Sequence, residues 1–167
     1  MLLPLVLILA LPQAPAKKVD ACALLSTAEI RAVLGETMTD PKPNTQPAGG
    51  LLLFQCVFGT SSRRSISVAV AGPATGGGAS ITPREFWRRE FHSSTESNEG
   101  REAEGENRPR VIAGLGDEAY WTGNRIAGAL YVLRRDTFVR ISVGGIPNER
   151  ERIEKSKALA RAAIKRL

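Results

Sequence analysis

The one histidine of the chain, His92, stands beside Ser93 and Ser94 and four residues before Glu96. These are the residue types of a serine hydrolase. A triad, however, needs a base held by a third group against an activated nucleophile, and neighbours along one short segment do not supply that geometry. No Gly-x-Ser-x-Gly sequence is present either. His92 therefore reads as a helix-terminal histidine favoured by the helix dipole. Asp117 and Glu118 are adjacent carboxylates in a glycine-rich turn before a strand. On a strand they point to opposite faces, which makes them poor partners for acid–base work on one bond. The expected role is structural, with Gly114 and Gly116 in unusual backbone angles and Asp117 accepting local amide hydrogen bonds.

Ligand motifs fare no better. Gly76-Gly77-Gly78 lies between a strand and a helix, as in a phosphate loop, but no Lys-Ser or Lys-Thr follows, and the helix opens with Pro83 and Glu85. Glu96, Glu99, Glu102, Glu104 and Glu106 do not follow a calcium-loop pattern. Two cysteines and one histidine cannot complete a closed zinc shell. No catalytic residue, metal or cofactor is expected. The aromatic residues are the remaining candidates: Trp87, Tyr120, Trp121 and Tyr131, with Arg140, define a possible binding face. The competing reading makes these rings core.

The elements that must position them are legible. Arg110–Val143 carries the clearest strand pattern, and a tight turn at Arg135-Asp136 sets Leu130 against Ile141, Tyr131 against Arg140, Val132 against Val139 and Leu133 against Phe138. One face of that hairpin is aliphatic. The other, with Tyr131, Phe138 and Arg140, is mixed and partly open. Upstream, Leu51–Phe58 reads as a strand with Phe54, Cys56 and Phe58 on one face, and Ser65–Ala71 as a strand with Ile66, Val68 and Val70 inward and Ser67 and Ala69 outward. Residues 37–50, with three prolines and two glycines, read as a loop or one irregular edge strand.

Ser26 and Glu29 form a capping box for a helix over 27–34 that Gly35 terminates. Thr82-Pro83-Arg84-Glu85 opens a second helix with an aromatic face of Phe86, Trp87 and Phe91, and Asn148 caps a third that runs to Leu167. On that last helix Ile153, Ala160, Ile164 and Leu167 share a face, and Arg152 falls among the solvated charges. The segment 93–109 predicts a mobile acidic loop. Grouped strands and helices predict an α+β fold: an antiparallel sheet packed by helices, one domain over 17–167.

The opening MLLPLVLILALPQAPA is apolar through Leu11 and then offers Ala14-Pro15-Ala16, which reads as a signal peptide over 1–16. Against the roughly 20 residues a membrane helix needs, the run is short, and an uncleaved anchor is the competitor. In an oxidising compartment Cys22 and Cys56 pair; otherwise they are two buried thiols. The formal charge is +6. On an exported protein a basic surface favours anionic lipid headgroups, surface polymers or another envelope protein over nucleic acid.

Asp20-Ala21-Cys22-Ala23-Leu24-Leu25-Ser26 with Ala28-Glu29-Ile30, Cys56 within a strand, Gly114-Leu115-Gly116-Asp117-Glu118-Ala119 and the closing Ala158–Leu167 helix together resemble a bacterial family of secreted proteins and lipoproteins of unknown function. The resemblance covers nearly the whole mature chain. Ala21 stands where that family usually has proline, and its lipobox is missing. The resemblance implies an exported α+β domain with a Cys22–Cys56 bridge and no established catalytic residue.

Three functions follow in order: a non-catalytic envelope binding or interaction domain, a small-ligand or lipid-binding module with a pocket between the Trp87 helix and the sheet, and an unrecognised hydrolase. Export is directly checkable. The protein secreted by a bacterial host should have an intact mass beginning at Lys17, and retention of residues 1–16 would refute cleavage there.

Overall fold

The computed structural model describes residues 20–73, 81–92 and 108–167. Its seven strands are β1 (Lys42–Ala48), β2 (Leu51–Gly59), β3 (Ser65–Pro73), β4 (Arg110–Val111), β5 (Glu118–Gly123), β6 (Gly128–Arg134) and β7 (Thr137–Gly144). They make one sheet in the order β1-β2-β3-β7-β6-β5-β4, with every neighbouring pair antiparallel. Three helices pack on it: α1 (Thr27–Leu34), α2 (Pro83–Trp87, continued by a π-turn over Arg88–His92) and α3 (Glu149–Ala163). The expected α+β architecture is what forms. The glycine-rich residues 74–80 and residues 93–107 of the expected acidic loop lie outside the described residues.

Local signals act as their chemistry dictates. Ser26 and Glu29 exchange the reciprocal bonds of a capping box, and Gly35 closes α1 at φ 76°. The Ser26 amide, then the Arg166 guanidinium, hold the Glu29 carboxyl down to about 2. Thr82 and Glu85 form the second box, with Pro83 in the first turn. The β6–β7 hairpin has the expected register, and Arg135 takes φ 54° in its turn.

One face of the sheet carries the larger core. Cys56, Phe58, Ile66, Val68, Val70, Leu130, Val132 and Ile141 are buried there against α1, α3 and a 3₁₀ turn over Ala21–Leu24. Two cations tie the helices to one another. Lys155 on α3 donates to the Val33 carbonyl near the end of α1 (2.8 Å), and Arg166 donates to the Leu24 carbonyl (3.1 Å) and to Glu29 (2.9 Å). Carbonyls left open near helix ends are natural acceptors for such cations.

The buried stripe of α3 differs from expectation. Ala160 is buried and Ile153, Ile164 and Leu167 pack at the margin, but the deepest residues are Arg152, Ser156, Leu159, Ala160 and Ala163. Arg152 is not among the solvated charges: it is 1% exposed. Its guanidinium donates to the carbonyls of Asn124 (2.5 Å), Arg125 (3.1 Å), Ile146 (2.7 Å) and Pro147 (3.1 Å). Four oxygens on its Nη1 and Nη2 replace most of the water it gives up, although its buried Nε has no partner among the described residues, and this is why a cation can sit in the stripe.

The β1 edge is protected against pairing with other chains. In antiparallel pairing alternate residues turn their amides outward, and Pro43, Thr45 and Pro47 share one parity. The prolines have no amide to offer, and the Thr45 amide is taken by its neighbour Asn44 Oδ1 (2.8 Å).

Cys22 and Cys56 form a disulfide with a Cα–Cα distance of 5.0 Å and a sequence separation of 34. It fastens the 3₁₀ turn to β2. Replacing both cysteines with alanine should cost about 3–4 kcal/mol by loop entropy. Urea unfolding measures this, and a loss below about 1 kcal/mol would show that packing alone sets the turn.

Candidate functional site

The second face of the sheet divides into three rows that cross the strands. The first runs Gln46, Leu53, Ala71, Phe138, Leu133, Glu118, and the second Asn44, Gln55, Ala69, Arg140, Tyr131, Tyr120, Val111. The third runs Lys42, Val57, Ser67, Ser142, and its line continues through Ala129 and Thr122. The character changes from apolar to polar along this sequence of rows.

Helix α2 covers the apolar end. Trp87 is 1% and Phe91 5% exposed, packed over Leu51, Leu53, Ala69 and Ala71. Ala69 faces away from the larger core, as its strand parity requires, yet it is buried because α2 lies on it. Ring centroids stand 4.5 Å apart for Trp87–Phe91, 4.6 Å for the stacked pair Phe91–Tyr120, 5.4 Å for Phe91–Tyr131 and 5.5 Å for Phe86–Phe138. Rings at these separations are in contact. The space between the Trp87 helix and the sheet is filled by side chains.

Glu118 anchors this cluster. One of its oxygens accepts both the Trp87 indole N–H (3.0 Å) and a bond with His92 Nε2 (2.7 Å). Trp87 and His92 are five residues apart and would diverge on an α-helix; the wider π-turn brings them to the same side. The Trp87 bond, then the His92 bond and charge, hold the Glu118 carboxyl below its ordinary value despite partial burial. Asp117 points the other way. Its carboxylate accepts from the Arg135 amide in the β6–β7 turn (2.6 Å), and its own amide donates to Leu133 O (2.8 Å). The amide it captures is thus across the sheet rather than local. Gly116, at φ 64°, permits this turn, because a Cβ there would collide with the Leu133 carbonyl.

Away from α2 the rows are polar and half-exposed. Arg140 donates from Nε to the Tyr131 hydroxyl (3.1 Å), with its guanidinium 5.7 Å from the ring centroid. Gln55 donates to Ser67 Oγ and accepts from Gln46 (3.4 Å), while Ser142 donates to Gly128 O (2.8 Å). Guanidinium, amide and hydroxyl groups from five strands thus share one surface. Such a surface suits an oxyanion or a hydroxyl-rich ligand, which it can hold by charge-assisted hydrogen bonds.

The structure therefore brings together four of the five expected face residues, Trp87, Tyr120, Tyr131 and Arg140, but gives them different roles. Trp87 is buried core; Tyr131 and Arg140 sit at the boundary with the polar rows. Trp121 lies on the opposite face, fully buried, and donates its indole N–H to Glu149 (3.0 Å), which also pairs with Arg110. Adjacent strand residues cannot share a face, so Trp121 and Tyr120 were bound to separate. Gln55, Ser67 and Ser142 were missed. Strand parity, which places them beside Ala69 and Arg140, carried the signal. An open groove of ≈ 720 Å³ lined by Thr27, Arg31, Gly35 and Met38 runs along α1, on the other side of the sheet.

No family model matches this chain, and no curated protein or solved structure shows significant similarity to it.

A depressed carboxyl value stabilises the fold above the unfolded value and loses that contribution as pH falls through the folded one. For Glu118 the unfolded reference is 4.5. The stability difference between the native chain and Glu118→Gln should therefore be present near pH 5 and shrink as pH falls below 4.5. Thermal melts from pH 6 to pH 3 check this. A difference independent of pH would show that the carboxylate charge is not what Trp87 and His92 exploit.

Proposed function

We propose that the mature chain is an exported, non-catalytic binding domain of the bacterial envelope, docking an anionic surface polymer or an envelope protein on the polar rows around Arg140. The observation that carries this is the convergence of Gln55, Ser67, Tyr131, Arg140 and Ser142 on one half-exposed surface next to a fully packed aromatic cluster. A rigid apolar floor with polar groups held in place by mutual hydrogen bonds suits recognition, since little ordering remains to be done on binding.

Export draws support from the apolar leader and from the Cys22–Cys56 bridge, which oxidising compartments favour. Among the described residues no helix is long and apolar enough to cross a membrane. The likeness to a secreted bacterial family agrees with this placement. A ligand pocket beneath the Trp87 helix has less to recommend it, because the rings there already touch.

Calorimetric titration of the mature protein with polyglycerol phosphate, against neutral dextran as control, tests the reading. The polyanion should bind and the dextran should not. Arg140→Gln should weaken binding about tenfold or more, as expected for loss of a charged hydrogen bond, without lowering the melting temperature by more than a few degrees. An unchanged affinity in Arg140→Gln would remove this surface from the function.

A further inference from the structure

We propose that the corner of the domain formed by β4, the β5–β6 loop and the start of α3 docks on an anionic phospholipid surface, with Ile126 entering the headgroup–acyl boundary. Among the described residues the two exposed large hydrophobics are Ile126 (89%) and Val111 (73%), and both lie at this corner. Ile126 tips the β5–β6 loop. Val111 pairs with Tyr120, four residues or about 13 Å along the chain from the first loop residue, Asn124.

The loop is held in one shape. Asn124 Oδ1 accepts the amides of Ile126 (2.8 Å) and Ala127 (3.1 Å), and the Asn124 amide returns to Ala127 O (2.8 Å). From below, Arg152 grips the carbonyls of Asn124 and Arg125. That guanidinium is buried in the first turns of a helix, where both desolvation and the positive end of the helix dipole disfavour a cation. Its placement makes sense if the loop it holds must present Ile126 outward.

The chemistry around the tip selects the partner. Arg108, Arg110, Arg125 and Arg150 are exposed in these segments, with Arg110 paired to the half-buried Glu149 and Glu151 to Lys155. A protein hot spot sits within a surrounding ring of apolar contacts in a shape-matched interface, whereas Ile126 is a single convex side chain with charged neighbours. A bilayer needs no matching shape. It accepts one inserted aliphatic group and meets the arginines with lipid phosphates.

Ile126 and Arg125 lie on the β5–β6 loop and Arg140 lies within β7, so different substitutions probe the two readings and each can fail alone. Cosedimentation of the mature protein with vesicles of phosphatidylglycerol and phosphatidylcholine, and with phosphatidylcholine alone, tests the corner. Binding should require phosphatidylglycerol, fall about tenfold in Ile126→Ser and about fivefold in Arg125→Gln, and persist in Arg140→Gln. Both loop variants change solvent-exposed side chains and should melt with the native protein. No binding to anionic vesicles would overturn the proposal. So would binding that Ile126→Ser leaves unchanged, because that is plain electrostatic adsorption, and so would binding lost only in Arg140→Gln.

Discussion

The antiparallel pairing of β3 with β7 is the contact on which the rest of this structure depends. It joins two meanders, β1-β2-β3 and β4-β5-β6-β7, into one sheet, and sets Val68 opposite Ile141 and Val70 opposite Val139. A slip of one residue would turn every aliphatic side chain of one half to the wrong face. The same register lines up Gln55, Ala69, Arg140 and Tyr131 across four strands, so the candidate surface exists only because the two halves meet in this phase.

The two faces are stabilised by different means. On the first, aliphatic burial is extensive, the disulfide fastens the start of the domain to β2, and Lys155 and Arg166 bind the last helical segment to α1 and the 3₁₀ turn. On the second, one short helix closes the apolar row with a cluster of six aromatic rings and a shared carboxylate. The two tryptophans show the same device on both faces: each buries its ring and gives its N–H to a glutamate that also holds a cationic or ionisable side chain, His92 in one case and Arg110 in the other. Burial of the indole is favourable only when that donor is satisfied.

Much of this was legible in the chain. Both capping boxes, the Gly35 cap, the β6–β7 register, the edge-strand character of the proline-rich segment and the aromatic face of α2 all followed from interactions among residues a few positions apart. The candidate surface was legible in part. Tyr131 and Arg140 were visible as a cross-strand pair, whereas Gln55, Ser67 and Ser142 carry no local mark of interest and gain one only from their neighbours on other strands.

What the chain determined by itself is therefore the set of elements, since turn geometry, capping and strand alternation are short-range and have few solutions. What only the tertiary structure decided is which side of the sheet each element covers. Trp121 parted from Trp87 because strand parity placed it against α3 while α2 crossed to the opposite face. Arg152 became buried because four carbonyls, from two loops distant in sequence, converged where it could replace its lost water. Such long-range coincidences depend on packing the whole domain, and no window of neighbouring residues contains them.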